Sequence, residues 1–228
     1  MPIGTTLETM LDYLRMEVGD STNPALGLTK APVYSNLLRR TQDRLYNDHN
    51  WQHLVVDRDQ ALQAGERYYT FDPSLNFQRI GKAWIGWNYA WHPIDCGFEP
   101  VNYNDNNPER NTRTDPVQAW RHYEINQFEV WPMPASSGQT IRFRGIKSLS
   151  RLTALSDRAD LDDTMLVLFA AAEILARGKM EDASAKLSQA QAHYMRLKGQ
   201  GNKMAPFIVG GGIHPSHYRD STIRVNPL

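Results

Sequence analysis

The stretch FEVWPMPASSGQTIRFRGIKSL, residues 128–149, decides how the middle of this chain folds. Apolar and polar residues alternate on both sides of its proline-rich centre, which is the two-residue period of a β-strand. Pro132 and Pro134 have no amide hydrogen to donate, so the first strand must end there or lie at a sheet edge. We predict two strands joined as a hairpin, with Trp131 at a rigid corner.

The same period continues upstream of this stretch. Residues 53–62 and 67–72, on either side of Gly65, predict a second hairpin, and residues 77–93 are rich in strand-prone aromatic residues. Residues 98–116 are rich in Asn, Asp, Pro and Thr, which indicates a long polar surface loop. The pattern therefore predicts an antiparallel β-domain over residues 54–152.

Helical periods flank this domain. Thr5 and Glu8 have the spacing of a capping box before an amphipathic stretch that ends at Gly19. A second stripe follows Pro32 and runs to Trp51, so residues 1–53 are predicted to form a helix pair.

The third helical region covers residues 153–198, with Asp160 as the expected N-cap and Gly178 as a point of kink or break. Ala176, Ala183 and Ala190 recur every seven residues, which would let a neighbouring helix approach closely. Residues 199–228 contain several glycines and prolines and lack a periodic stripe, so we predict an extended C-terminal tail. The predicted fold class is α+β: the helix pair and the long helix form a helical bundle, and the small antiparallel β-domain is inserted between them.

The composition narrows the range of functions. The 228 residues include 25 basic and 25 acidic residues, and this zero net charge argues against a general nucleic-acid binder. Cys96 is the single cysteine, which excludes an intramolecular disulfide and a cysteine-based zinc site. The first residues show no secretory-signal pattern, and the longest apolar run, around residues 165–172, is too short to span a bilayer. We expect an intracellular product.

No group of residues carries a convincing catalytic signature. His92, Asp95 and Cys96 favour a turn after a strand over a cysteine nucleophile, because neighbours in sequence need not meet in space. His214 and His217 flank Pro215, which makes a helical metal site a poor fit. The aspartates at 157, 160, 162 and 163 resemble a cation site, but helix capping explains them better. We predict no catalytic residue, no cofactor and no metal.

A basic strip is the remaining chemical feature. Arg142 and Arg144 share one face of the second strand, and Lys147 lies nearby. Such a strip is a candidate contact for DNA phosphates, and an ion-paired sheet face is the alternative.

Three features in this order resemble the head-to-tail adaptor (connector) proteins of tailed bacteriophages, especially the short-tailed ones. The first is the end of the second helix, DRLYNDHNWQHL at residues 43–54. The second is the strand, the Trp-Pro-Met-Pro corner and the returning strand of residues 128–149. The third is the acid-capped helix that begins DLDDTMLVLFAAAEILA at residue 160. The resemblance covers most of residues 5–198.

The resemblance implies a structural virion protein and not an enzyme. It implies a ring of copies, commonly twelve, between the portal and the tail at the head–tail junction, with the protein made in the host cytoplasm. Its partners would be the portal, the next tail component (a nozzle or fibre) and, transiently, the double-stranded genome in the channel during ejection; no membrane partner is expected.

The resemblance also assigns roles to two regions of this chain. A helix face is expected to pack between subunits, and it comprises Ala176, Ala183, Leu187, Ala190 and Tyr194. A tail is expected to bind the portal, through Met204, Pro206, Phe207, Ile208, Val209, Ile213 and Tyr218.

Other functions remain open at this point. A tail-nozzle or tail-completion subunit would also form a ring but would not contact the portal. A carbohydrate-active enzyme would need two opposed carboxylates, and the predicted sheet offers no convincing pair. A nucleic-acid-binding module would show affinity that falls steeply with salt.

Overall fold

The computed structural model describes residues 3–21 and 30–201, with strands in the middle of the chain and helices on either side. The α-helices of this part are α1 (Leu7–Val18), α2 (Ala31–Asp48), α3 (Asp163–Arg177) and α4 (Ala183–Gly201). The strands are β1 (Val55–Ala61), β2 (Tyr68–Thr70), β3 (Leu75–Trp87), β4 (Ala90–Cys96), β5 (Ala119–His122), β6 (Gln127–Trp131) and β7 (Thr140–Lys147). The predicted α+β class is therefore confirmed.

The strands form one curled sheet in the order β1-β7-β3-β4-β5-β6-β2. Neighbouring strands are antiparallel except for β4 and β5, which run parallel with Asp95 opposite Ala119. The prediction of a purely antiparallel sheet is thus wrong at one pairing. A parallel pair needs a long connection, because the second strand must begin at the same end of the sheet as the first. The loop between β4 and β5, which contains two short 3₁₀ helices, is long enough for this return.

Both predicted hairpins, the one around Gly65 and the one around the proline corner, are wrong in their pairing. β7 pairs with β1 and β3, whereas β6 pairs with β5 and β2. Phe128 on β6 and Phe143 on β7 face each other across the core, with ring centroids 4.9 Å apart. The strands before and after Pro132 therefore lie in opposite layers of the curled sheet. A two-residue period indicates a strand but does not identify its partner.

Residues 62–67 and 132–139 cross between the two layers side by side. The Leu62 amide donates to the Gln139 carbonyl at 2.9 Å, and the Gly65 amide donates to the Pro134 carbonyl at 2.9 Å. Pro134 cannot donate a backbone hydrogen bond, yet its carbonyl accepts one here. The proline corner is therefore a bend shared by two chain segments and not the tip of a hairpin.

Helix ends differ from the sequence prediction by one or two residues. Thr6, not Thr5, caps α1, because its hydroxyl accepts from the Thr9 amide. Asp162, not Asp160, caps α3 and accepts from the Met165 amide at 2.9 Å. Asp160 instead accepts from Lys147 and from the Ser150 amide. Several acidic residues in a row give more than one plausible cap, and tertiary contacts select among them.

The long helical region predicted over residues 153–198 consists of two helices, and the break falls after Arg177, where Gly178 had indicated a kink or break. α3 begins only at Asp163 and ends at Arg177, and the chain turns at residues 178–182 before α4 begins at Ala183. Lys179 has a positive φ of 54° in this turn. α4 then packs against α3 and continues to Gly201, so the helical region also extends past the predicted start of the tail at residue 199.

Two apolar clusters hold the described part of the chain together. One lies among the helices and includes Leu14, Leu38 and Met165, and the other lies inside the curled sheet around Phe71, Phe128 and Phe143. Hydrogen bonds tie the two regions together: the Tyr46 hydroxyl donates to the Lys147 carbonyl at 2.9 Å, and the Gln42 amide donates to the Ser150 carbonyl at 2.9 Å. Among the helices of residues 3–21 and 30–201, none combines the length and apolar character that a membrane crossing requires.

Candidate assembly interface

Three helices enclose an open groove of about 1390 Å³, called here the helical groove. α2 forms one wall, α4 forms the other, and α3 lies between them. The groove exists because the chain breaks after α3 and folds α4 back beside it. The apolar side chains that line it are Leu45, Phe169, Ala172, Ala176, Ala183, Leu187, Ala192 and Met195.

Small residues give the helical groove its width. Ala172 and Ala176 on α3 and Ala183 on α4 leave space that larger side chains would fill. Leu187 and Met195 nevertheless keep 43% and 66% of their surface exposed. An exposed apolar surface of this kind is typical of a contact site for another segment or another protein.

Tyr194 lines the helical groove and joins its two walls. Its hydroxyl donates to the Asp48 carboxylate on α2, and its ring packs edge-on against Trp51 and Phe169 at 6.0 and 6.3 Å between centroids. Burial, and then the hydrogen bond to Asp48, raise the pKa of Tyr194 to about 12. The tyrosine therefore stays neutral at physiological pH and acts as a fixed brace between α2 and α4.

Charged side chains border the groove without leaving one sign of charge in excess. Glu173 on α3 accepts hydrogen bonds from Arg40 on α2 and from Arg177 on its own helix. Partial burial acts to raise the pKa of Glu173, but these two guanidinium groups hold it below its ordinary value. The Arg44 guanidinium lies over the Phe169 ring, 5.3 Å from its centroid. The rim is polar and paired, and the floor is apolar, which is the usual composition of a protein-binding surface.

The predicted inter-subunit face falls mainly on this groove. Ala176, Ala183, Leu187 and Tyr194 all line it. Ala190 does not, because it is completely buried within the subunit and cannot touch a neighbour in this conformation. The sequence did not indicate the α2 wall, because no local period shows which distant helix a stripe will pack beside.

The residues expected to bind the portal, from Met204 to Tyr218, lie outside the described residues. The same holds for His214 and His217.

The basic strip is paired with carboxylates throughout. Arg142 binds Asp59 and Arg144 binds Asp57, each through two hydrogen bonds of 2.6–2.7 Å. Lys147 donates to Asp160 at 2.9 Å. Hydrogen bonding from Arg144 lowers the pKa of Asp57, which therefore stays ionised. These pairs favour the ion-paired sheet face over a surface with excess positive charge.

Tryptophans pack on the same strip. The Arg142 guanidinium lies 4.2 Å from the Trp91 ring centroid, and that of Arg144 lies 5.2 Å from the Trp84 ring centroid. The arginines are thus held between a carboxylate on one strand and an indole on another. This arrangement fixes their planes and leaves them poorly placed to reach out to a phosphate.

A charged cluster beneath the polar loop was not predicted. Glu129 on β6 is fully buried and accepts from Arg67, from Arg121 at 2.8 Å and from the Tyr103 hydroxyl at 2.8 Å. Tyr103 belongs to the loop of residues 98–116, so this cluster pins the loop to the sheet. The sequence did contain an indication of this cluster, which is the single glutamate inside the apolar run FEVW. A carboxylate buried with such neighbours requires charged or hydrogen-bonding partners.

The other candidate chemical groups have local roles. Asp157 accepts from the Thr153 and Ala154 amides at 2.7 Å, and Asp162 caps α3. Cys96 is exposed as a residue, but neighbouring atoms partly shield its thiol from water, and this raises the pKa of the thiol. An activated nucleophile requires a lowered pKa instead. Capping and turn formation therefore account for these aspartates.

The fold is α+β, and its groove leaves apolar side chains exposed to solvent. The family model described as SU10 adaptor protein matches residues 5–205, which is most of the chain. The chain therefore belongs to this family of phage adaptor proteins, and the resemblance to head-to-tail adaptors is confirmed. No curated protein matches it significantly.

Proposed function

We propose that this protein is a head-to-tail adaptor that forms a ring of twelve copies between the portal and the tail. Family membership makes it a structural phage protein of the virion. The finer assignment places the ring at the head–tail junction, with the genome passing through its channel during ejection.

The observation that carries the proposal is the helical groove. Its floor is apolar, its rim is paired, and four of the five residues expected between subunits line it. A closed ring uses a heterologous interface, in which one surface of a subunit binds a different surface of the next. The helical groove supplies one of those two surfaces.

The proposal extends to the other regions of the chain, by analogy with the family. The tail that begins after α4 reaches the portal, and the curled sheet faces the next tail component, a nozzle or fibre. Because Arg142, Arg144 and Lys147 are already paired with carboxylates, the sheet would hold passing DNA weakly. Weak contact suits a channel from which the genome must leave.

The test is to mix the purified chain with the portal of the same phage and to measure the mass of the complex that elutes. A monomer that becomes a stoichiometric ring only on the portal supports the adaptor assignment and a templated assembly. A ring that forms without the portal and ignores it would instead indicate a nozzle or tail-completion subunit. A lasting monomer under both conditions would contradict the proposal and reopen an enzymatic or nucleic-acid-binding role.

A further inference from the structure

The helical groove has no occupant among the described residues, although its apolar floor is open to water. Its volume of about 1390 Å³ exceeds the roughly 300–1,000 Å³ of ordinary small-molecule pockets. The groove is also elongated, because it follows α4 from Ala183 to Met195. An extended peptide or a helix fits this shape better than a metabolite does.

The chain continues for 27 residues beyond the end of α4 at Gly201. Its first apolar cluster is MAPFIV, Met204–Val209, and three glycines follow directly. Pro206 at the centre of this cluster is incompatible with a helix interior but fits an extended strand. The sequence therefore places an apolar segment that is unsuited to a helix three residues after the helix that forms one wall of the groove.

The reach of this segment matches the groove. Met195 lies six residues before Gly201 on α4, about 9 Å away at the helical rise, and Ala183 lies about 27 Å away. An extended chain that turns back after Gly201 would bring Met204 about 10 Å along α4 and Val209 about 27 Å along it. The apolar segment would thus begin beside Met195 and end beside Ala183.

We propose that in the free chain the segment Met204–Val209 lies in the helical groove of its own subunit, extended and antiparallel to α4. Phe207 and Ile208 would cover Leu187, and the glycines that follow would release the chain at the open end. Since the attachment is intramolecular, the segment has a high effective concentration at the groove, and a modest affinity suffices to fill it.

The consequence for assembly rests on the proposed function. The portal would need the same segment, and the neighbouring subunit would need the same groove. A free chain would therefore remain single until the portal draws the segment out and uncovers the groove. This arrangement makes the segment an intrasubunit cap that prevents rings from forming away from the capsid.

Hydrogen exchange on the full-length chain, without the portal, tests the cap. We expect amides of residues 207–209 to exchange at least 10-fold more slowly than those of an unstructured peptide of the same sequence. Leu187→Asp, which places a charge in the groove, should return them to the unstructured rate. Met180→Asp is the matched control, because Met180 is similarly exposed but does not line the groove. It should leave the protection intact.

Three results would overturn the cap. Unstructured exchange of residues 207–209 in the wild-type chain would show that the groove is open. Protection that survives Leu187→Asp would place the segment elsewhere. Protection that grows with protein concentration, with a rise in mass by light scattering, would mean that a second copy supplies the segment. Slow exchange within the β-strands serves as the check that each variant is folded.

The experiment separates this inference from the proposed function, because the portal takes no part in it. A chain with an open groove that still forms rings on the portal would remove the cap and leave the adaptor assignment intact. A chain with a filled groove that does not bind the portal would support the cap and contradict the adaptor assignment.

Discussion

At the scale of single residues, Glu129 is the group on which the sheet and the polar loop both depend. It is fully buried and binds two arginines and Tyr103. Glu129→Ala should lower the free energy of unfolding by about 3 kcal/mol, because it leaves the positive charges of Arg67 and Arg121 without their carboxylate partner. This value lies at the lower end of the stability losses expected when a buried ion pair is broken, because both arginine side chains keep some solvent contact. Urea denaturation measures this difference.

The matched control for Glu129 is Asp59, whose partner is also an arginine but whose side chain is 45% exposed. Asp59→Ala should cost less than about 1 kcal/mol, since exposed ion pairs contribute little. Equal losses for the two variants would mean that burial does not set the strength of these pairs.

Asp163 provides a prediction about pH. It is fully buried at the start of α3, where Thr5 donates to it through both its amide and its hydroxyl. Burial raises the pKa of this carboxyl above its ordinary value, so the folded chain binds a proton more readily than the unfolded chain. The contribution of Asp163 to stability is therefore present below the ordinary pKa of aspartate and is lost as pH rises through the raised pKa.

Asp163→Asn should remove this pH dependence, because an amide does not titrate and can still accept from Thr5. The unfolding free energy of the variant relative to wild type should rise between about pH 3 and pH 7. Thermal or urea unfolding at a series of pH values measures it. A difference that stays level, or that falls with rising pH, would contradict the assignment.

At the scale of elements, α4 carries some residues that pack inside the subunit and others that line the groove proposed for assembly. Ala190 faces inward and Ala183 lines the groove, although both belong to the same seven-residue repeat. Ala190→Glu should lower the free energy of unfolding by about 3 kcal/mol or more, because it buries a charge without a partner. Denaturant unfolding measures it.

Ala183→Glu should leave stability within about 0.5 kcal/mol, since a negative charge is favourable in the first turn of a helix. It should nevertheless reduce ring formation on the portal, because it places a carboxylate on the apolar wall that α4 contributes to the groove. Gln189→Glu is the control and should affect neither property, because Gln189 is exposed and does not line the groove. If Gln189→Glu and Ala183→Glu impair assembly equally, the groove is not the subunit interface.

At the scale of the whole molecule, we propose separate tasks for the described residues and for the C-terminal residues that follow them. The apolar clusters of the helices and the sheet are formed by residues up to 201. Removing residues 202–228 should therefore preserve the fold, as measured by the thermal transition, and should abolish co-elution with the portal. A truncated chain that joins the portal normally would show that the tail is not the portal contact.

The positions of helices and strands could be predicted from the sequence because they depend on local periods. Residues 140–147 alternate as a strand must, and Ile141 and Phe143 are indeed buried while Arg142 and Arg144 are not. The ion-paired alternative for these arginines was also accessible, since the aspartates of β1 are visible in the sequence. The expectation of a structural role also came from the sequence alone, because it rested on the zero net charge and on the lack of a recognisable catalytic motif.

The partners of those elements were decided by tertiary structure alone. β6 and β7 are close in sequence but lie in opposite layers, because packing Phe128 against Phe143 buries both rings in one core. Likewise, Gly178 predicted a break, but only the return of α4 beside α3 and α2 created the helical groove. A local period records which face of an element is apolar, whereas the choice of what covers that face depends on the shape of the whole core.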